Sequence, residues 1–337
     1  MKAGIIGLGH GSRVLIHSFK ISNIKVCAIS AKNLIKTKKI SKINKINIVY
    51  ENWIDLIKDK SIDIIAIAVP PIEQIKIINE CIKRNKLIFC EKPIGIKKKE
   101  IDRLFVKLFN YKEKFIVDYI FPEHNAFKKF KEILDSKKIN SDDIVNINFN
   151  NQTYVNKYKI INWKSKDFQG GGIINQFLTH ILDYLIIIFG KITEIRCEQG
   201  QNKKKLHCYL NFKSGIKANI SIDTNNSKHL HLIEYHSKNY KLILVNNSKD
   251  YFKNFKIYKF TTNSKNQISK NIIQYKNLFK QFRKDSRILM TSRIIDKLKL
   301  VNKKYDKKNY LNRMIYNEFI FEKCRISAMK KNIQRIK

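Results

Sequence analysis

A β-branched run, Lys2–Ile6, stops at Gly7-Leu8-Gly9-His10-Gly11-Ser12, and a helical pattern follows. Glycines at this spacing between a strand and a helix make a phosphate cradle. The first permits a tight turn, and the second lets backbone approach a pyrophosphate. The helix start adds free N–H groups and the positive end of its dipole. Gly7, Gly9, His10, Gly11, Ser12 and Arg13 are therefore the expected cofactor-binding turn for a dinucleotide. Ser12 stands where a third glycine is usual, which predicts looser packing of helix on strand. The plain alternative is a Gly-rich turn that binds nothing. Its place between an apolar run and a helix favours the ligand.

The second apolar run, Ile24–Ser30, should end in an acid if it is to hold a ribose 2′-hydroxyl. The chain instead reads Ser30-Ala31-Lys32-Asn33. Ser30 and Lys32 suit a 2′-phosphate, so NADP(H) is expected in preference to NAD(H), with Lys32 as one more surface lysine the alternative. Two further strand ends read Ala68-Val69-Pro70-Pro71 and Phe89-Cys90-Glu91-Lys92-Pro93. Open α/β sheets bind ligands at such carboxyl ends. Val69, Pro70, Glu91 and Lys92 join the expected cofactor-binding set.

A third constellation lies at 173–189. With 100° per residue, Asn175, Gln176, Thr179, His180 and Asp183 share one arc of an otherwise apolar helix. Residues 167–190 contain no Lys or Arg in a chain rich in both. A solvated face would have gathered some, so the arc is expected to face a cavity. Imidazole titrates near neutrality and suits reversible proton transfer. The bland reading of His180 is a structural histidine satisfied by Asp183 or a carbonyl.

These residues need elements to position them. Up to about residue 120, short apolar runs (Lys2–Ile6, Ile24–Ser30, Asp63–Val69, Leu87–Cys90, Phe115–Tyr119) alternate with helical patterns (Val14–Phe19, Trp53–Lys58, Glu73–Arg84). That alternation predicts a doubly wound parallel sheet. Beyond it the pattern changes. Phe127–Leu134 reads as helix, and Ile144–Val155 as an antiparallel strand. Alternating runs follow at 192–197, 205–212, 215–223, 229–237, 240–245 and 254–260. Helical patterns return at 270–283 and 290–302, with a basic helical tail at 311–337. The expected architecture is α/β: an NAD(P)-binding domain over 1–120, then an α+β domain over 121–337 with a large open antiparallel sheet. One bare face of such a sheet asks for cover, so a homodimer or homotetramer through it is expected. There is no internal repeat.

Composition sets the bounds. The 337 residues are 43% hydrophobic, enough for two cores, and carry a net charge of +40. That charge invites nucleic acid. Yet the lysines are scattered along the whole chain, and only ten of the 68 basic residues are Arg. No basic stripe interleaved with aromatics stands out. Drift of tolerant surface positions to Lys is the preferred account, and no nucleic-acid partner is expected. The six cysteines show no C-x-x-C spacing and no Cys/His cluster, so reduced structural thiols and no metal are expected. The most apolar stretch, 181–189, is too short to span a bilayer and contains Asp183. With no h-region near Met1, a cytoplasmic location without membrane partner is expected.

Gly7-x-Gly9, then Ala68-x-Pro70, then Glu91-Lys92-Pro93 together resemble the Gfo/Idh/MocA family, the relatives of glucose–fructose oxidoreductase and inositol dehydrogenase. The resemblance runs closely through the first 120 residues, continues through Gly170–Asp183 and fades after about 265. It implies a Rossmann domain followed by an open-sheet α/β domain. It also implies NAD(P) at the glycine turn and the Glu91-Lys92-Pro93 loop beside the nicotinamide, with a cis Lys92–Pro93 peptide. Lys92 would aim its ammonium at the reacting hydroxyl or carbonyl. The family pattern GGG-x-x-x-D-x-G-x-H-x-x-D meets Gly170-Gly171-Gly172, Gln176, Leu178, His180 and Asp183 here. Gln176 replaces an acid and cannot take a proton. The stretch Val117-Asp118-Tyr119-Ile120-Phe121 resembles a branch that looks like cell-surface sugar biosynthesis enzymes.

What this implies is hydride transfer between nicotinamide and a CH–OH or C=O carbon of a sugar, sugar nucleotide or polyol. Lys92 and His180 would be catalytic, and Gln176, Asp183 and Asn175 would position the substrate. Tyr154, Trp163 and His231 mark the region from which substrate contacts are expected. The competing reading is a non-catalytic or repurposed dinucleotide-binding protein of the same fold, in which Gln176 marks lost chemistry.

Overall fold

A computed structural model describes residues 1–111, 114–137, 139–248, 250, 252–263, 267–279, 282, 284–299 and 307–336. The chain divides into two units. One comprises Met1–Ile120, Phe168–Gly170 and Arg287–Glu318; the other comprises Phe121–Asp167, Gly171–Ser286 and Phe319–Lys337. The first unit's long segment ends at residue 120, and two later segments return to it.

In the first unit β1 (Lys2–Ile6) leads through a π-helical turn, Gly11–Leu15, into α1 (Ile16–Ile21). There follow β2 (Lys25–Ser30), α2 (Leu34–Asn44), β3 (Ile48–Tyr50), α3 (Trp53–Lys58), β4 (Ile64–Ile67), α4 (Pro71–Lys83), β5 (Leu87–Cys90), α5 (Lys98–Phe109) and β6 (Phe115–Val117). The six strands are parallel, in the order β3-β2-β1-β4-β5-β6. This is the expected doubly wound sheet. All four residues of β4, Ile64–Ile67, are buried, as a strand covered on both faces demands. The order reverses between β1 and β4, so the carboxyl ends of β1, β4 and β5 come together at the switch point. That brings the glycine turn, Val69-Pro70 and Glu91-Lys92 to one edge.

The second unit holds α6 (Asn125–Asp135), β7 (Ile144–Asn150), α7 (Tyr154–Lys157), a π-helical turn at Ile174–Leu178 and α8 (Thr179–Phe189). Then come β8 (Ile192–Gln199), β9 (Lys205–Phe212), β10 (Lys217–Asp223), β11 (Leu230–Ser237), β12 (Tyr240–Asn246), β13 (Lys256–Thr262) and β14 (Ile268–Ile273). Further along come α9 (Arg287–Lys299), assigned to the first unit, α10 (Lys307–Lys330), assigned to the first unit as far as Glu318, and β15 (Gln334–Arg335) in the second. The nine-stranded sheet runs β14-β13-β12-β11-β7-β10-β9-β8-β15. Its strands alternate: Val145, Ile147, Phe149, Leu206, Cys208, Leu210, Ala218, Ile220 and Ile222 are buried. The opposite face presents Asn146, Asn148, His207, Tyr209, Asn219, Ser221 and Glu234 around a shallow concavity.

Two expectations need correction. β7 is antiparallel to β11 but parallel to β10, because the chain returns to its side only after α8 and the β8–β9 hairpin. The helix expected from 270 is instead the edge strand β14, paired with β13 from Ile257↔Ile273 to Thr262↔Ile268. Its few isoleucines suit either period, and an edge pairing decided between them. The expected helical residues 280, 281, 283, 300–302 and 337 lie outside the described residues. The six cysteines are all free and buried.

Candidate functional site

The glycine turn is set by close approach. Gly7 has φ +93°, and a Cβ there would stand 2.4 Å from the Ala68 carbonyl oxygen, so only glycine fits. Its N–H donates to the Ser30 carbonyl at 2.9 Å, tying the turn to the end of β2. A Cβ at Gly9 would meet no atom within 4 Å. A Cβ at Gly11 would lie 2.9 Å from Ile5 Cγ2. Gly11 thus brings helix onto strand, the role expected of position 12. Ser12 instead folds its hydroxyl back to donate to the Leu8 carbonyl at 2.6 Å. Arg13 Nε donates to the Gly9 carbonyl at 3.1 Å. No side chain caps the amides that open at Gly11. Uncapped amides beside the open space at Gly9 form a donor set that fits a dinucleotide pyrophosphate. At the end of β2, Ser30 is buried and Lys32 exposed. Asn33 caps α2 by accepting from Lys36 N–H at 2.9 Å.

The loop after β5 is held from three sides. Glu91 N–H donates to the Ile67 carbonyl at 3.0 Å. Lys92–Pro93 is a cis peptide, as the resemblance implied. Gln74, fully buried on α4, donates Nε2 to the Pro93 carbonyl at 2.6 Å and accepts from Cys90 Sγ at 2.8 Å. Glu318 on α10 accepts from Ile94 N–H at 3.3 Å. Val69 and Pro70 are half-buried, and Pro70 immediately precedes the first turn of α4.

Charge gathers at these strand ends. His10 Nε2 lies 3.0 Å from Glu91 Oε1 and 4.0 Å from Asp118 Oδ2. Asp118, just past β6, is only 3% exposed. Thr291 on α9 offers its hydroxyl to Asp118 Oδ2 at 3.0 Å and Oδ1 at 3.3 Å. Burial would raise the Glu91 carboxyl, but His10, the Asp118 hydrogen bond and Lys92 outweigh it and hold Glu91 down at about 2. Asp118 goes the other way: burial, then the neighbouring Glu91 charge, push it well above the usual carboxylate range. A side-chain nitrogen of His10 and a carboxylate oxygen from each of Glu91 and Asp118 lie within 4.8 Å of one another. Sequence spacing could not show it, because its members come from three separate strand ends.

The second unit carries the other expected residues. A Cβ at Gly171 would stand 2.3 Å from the Trp163 carbonyl oxygen, so the glycine run lets two backbones touch. Asn175 is buried; it donates to the Gly171 carbonyl at 2.7 Å, and Arg325 reaches its Oδ1 at 3.5 Å. Gln176 donates Nε2 to the Lys164 carbonyl at 2.7 Å. His180 is half-buried, with the Phe121 ring edge-on at 5.4 Å between centroids. Asp183 is fully buried. The single continuous arc expected over 173–189 is broken: the π-helical turn at Ile174–Leu178 shifts the phase of Asn175 and Gln176 relative to His180 and Asp183. His231 is a core residue rather than a substrate contact. It is wholly buried, edge-on to Phe121 and Phe149, with Tyr184 Oη at 3.2 Å from its Nε2. Burial pushes its imidazole down to about 3. Tyr154 is exposed, and Trp163 opens a short 3₁₀ turn.

Lys92 belongs to the first unit and His180 to the second. Sequence reasoning passed over Gln74, Asp118, Thr291 and Glu318. Two had a signal. Gln74 sits on the buried face of α4 with Pro71, Ile78 and Cys81, and Asp118 is an acid at a strand's carboxyl end. Thr291 and Glu318 had none, because their helices lie far along the chain.

Two family models match this chain. One, an oxidoreductase family with an NAD-binding Rossmann fold, covers residues 1–119; the other, its C-terminal alpha/beta domain, covers 131–239. The uncharacterized oxidoreductase sll0816 of Synechocystis is 23% identical over 191 residues, 56% of this chain and 52% of that protein. Trans-1,2-dihydrobenzene-1,2-diol dehydrogenase of Xenopus tropicalis is 24% identical over 169 residues, 47% of this chain and 49% of its own length. The chain thus spans about half the length of each of these two relatives. Among solved structures, levoglucosan dehydrogenase in complex with NADH and L-sorbose shares the fold with a TM-score of 0.82 at 12% identity, covering 100% of this chain and 99% of that one. No helix among the described residues is long and apolar enough to cross a membrane.

Proposed function

The chain belongs to the Gfo/Idh/MocA oxidoreductase family, and on that premise we propose that it moves a hydride between a nicotinamide cofactor and a CH–OH or C=O carbon of a sugar, sugar nucleotide or polyol. The observation that carries this reading is the Glu91-Lys92-Pro93 loop. Gln74 and Glu318 clamp it at the carboxyl end of β5, on the same sheet edge as the uncapped glycine turn. When bound, the nicotinamide supplies the two-electron chemistry. The chain's residues do the rest. Gly9, Gly11 and Arg13 receive the pyrophosphate, and Lys92 stabilises negative charge developing on the substrate oxygen. His180 takes part in the proton transfer, while Gln176, Asn175 and Asp183 orient hydroxyl groups. The sugar-like class draws support from the named neighbours, one a diol dehydrogenase and one holding L-sorbose.

NADP(H) is the favoured cofactor. Its support is the exposed Lys32 after β2 and the lack of any acid at 30–33. A homodimer or homotetramer through the nine-stranded sheet is part of the same reading. Its outward central residues, Asn146, Asn148, His207, Tyr209, Asn219, Ser221 and Glu234, include no Lys or Arg in a chain of 68 such residues. Light scattering should then give a multiple of the chain mass, and a monomer would refute it. We place the protein in the cytoplasm, with no nucleic-acid or membrane partner.

The test is a panel of nucleotide sugars, hexoses and polyols against NADP+ and NAD+, read by reduced-nicotinamide absorbance. Turnover should appear with NADP+ first. Lys92→Ala and His180→Ala should each lower kcat by at least about a hundredfold with cofactor affinity kept. Cofactor binding without turnover on any substrate would favour the alternative, a repurposed dinucleotide-binding protein in which Gln176 marks a lost acid.

A further inference from the structure

We propose that Glu91 and Asp118 hold one proton between them and serve as the proton store of Lys92, the work that Gln176 cannot do. This rests on the hydride-transfer reading above. Asp118 is 97% buried as a side chain, and an isolated ionised carboxylate there is strongly disfavoured. A Glu91 carboxylate oxygen lies within 4.8 Å of one of its own, and two so placed cannot both ionise cheaply. The groups around the pair decide which one stays charged. From the turn after β1, His10 Nε2 sits 3.0 Å from Glu91 and 4.0 Å from Asp118. From the loop after β5, Lys92 acts on both carboxyls. From α9, the Thr291 hydroxyl reaches both Asp118 oxygens. Beyond them, Cys90 and Glu318 of α10 border the same loop. His10 therefore keeps Glu91 anionic, and the proton resides on Asp118, consistent with the opposite directions in which the two carboxyls shift.

The steps balance. When a carbonyl carbon accepts hydride, the oxygen takes a proton from the Lys92 ammonium: an O–H bond forms and an N–H bond breaks. Glu91, anionic at the start, takes the proton from Asp118 and passes it to the Lys92 amine, so that it ends as it began. The pair has then lost one proton and gained one negative charge, which His10, a quarter exposed, can relieve by relaying a proton from solvent. Oxidation of an alcohol runs the same path backwards. Asp118 is thus a positioning and proton-storing residue that acts through Lys92.

The test uses the full-length chain. Infrared spectroscopy at pH 7 should show the carbonyl stretch of a protonated carboxylic acid, and Asp118→Asn should remove it. In carbonyl reduction, wild-type kcat should fall at alkaline pH as the pair loses its proton. Asp118→Asn should lose at least tenfold in kcat and lack that alkaline limb, with KM and cofactor affinity within twofold. Thr291→Val removes a donor that favours the Asp118 anion, so it should move the limb to higher pH; this arm stands even if Asp118→Asn folds poorly. No acid band in the wild type, or Asp118→Asn with wild-type kcat and pH profile, overturns the proposal. A band in a chain that turns over no substrate overturns the functional reading and the pair's role in it, while the shared proton stands.

Discussion

His10 Nε2 lies 3.0 Å from Glu91 Oε1, which joins the turn after β1 to the loop after β5. Two loops joined through residues 81 apart in sequence are thereby brought together, and the proposed cofactor turn is one of them. His10→Ala should weaken NADP+ binding by about tenfold, the scale of one hydrogen bond to a charged group. Far-UV circular dichroism should be unchanged. Fluorescence titration of the cofactor checks this, and an unaltered Kd would show that the ion pair supports nothing.

The glycines of the turn should separate folding from binding. Gly9→Val adds a side chain where nothing in the chain stands within 4 Å, so thermal stability should hold while cofactor affinity collapses. Gly7→Ala meets the Ala68 carbonyl at 2.4 Å in a left-handed conformation and should cost about 1–3 kcal/mol in stability. Calorimetry beside binding titration distinguishes the two. Equal stability loss in both would contradict the open space at Gly9.

Gln74 is a test of the clamp. Gln74→Leu keeps the buried volume but leaves the Pro93 carbonyl and the Cys90 thiol without the partners they have at 2.6 and 2.8 Å. The expected loss is about 1–3 kcal/mol of stability for an unsatisfied buried group. A fall in kcat should exceed any change in cofactor Kd, because the loop carrying Lys92 loosens. Urea unfolding and steady-state kinetics read the two effects separately, and a Gln74→Leu protein with full kcat would remove the clamp's functional role.

His231 sets an acid limit on stability. Its folded imidazole sits at about 3 against an ordinary 6.5, so the unfolded chain binds the proton and the folded chain does not. Its contribution is complete above about pH 6.5 and is lost as pH falls toward 3, with a slope of about 1.4 kcal/mol per pH unit for one proton. His231→Phe should flatten that slope by one proton, at the expense of the Tyr184 hydroxyl contact at 3.2 Å. Denaturant midpoints measured from pH 4 to 7 decide it; parallel slopes for the two proteins would mean that His231 is protonated in the folded state.

Much of the first unit could be read in advance because its signals are local. A strand buried on both faces writes itself as a β-branched run, and the close approach at Gly7 writes itself as glycine. The second unit was less legible. The parallel pairing of β7 with β10 depends on where a long connection returns. β14 carries too few apolar residues to choose between periods until β13 offers an edge. The arc over 173–189 assumed an unbroken helix, and a single π-helical turn re-aimed Asn175 and Gln176.

The amino-acid order by itself determined the parallel sheet, the phosphate turn, the cis-proline loop and the family to which all three belong, since each is written in contiguous residues. Only the tertiary structure decided which distant side chains serve that loop. Gln74, Asp118, Thr291 and Glu318 come from α4, the end of β6, α9 and α10, and no spacing in the chain announces their meeting. The physical reason is that burial and charge act through space. Asp118 is an ordinary acid in the sequence, and its carboxyl is pushed above the usual range only because folding takes it out of water and sets it against Glu91.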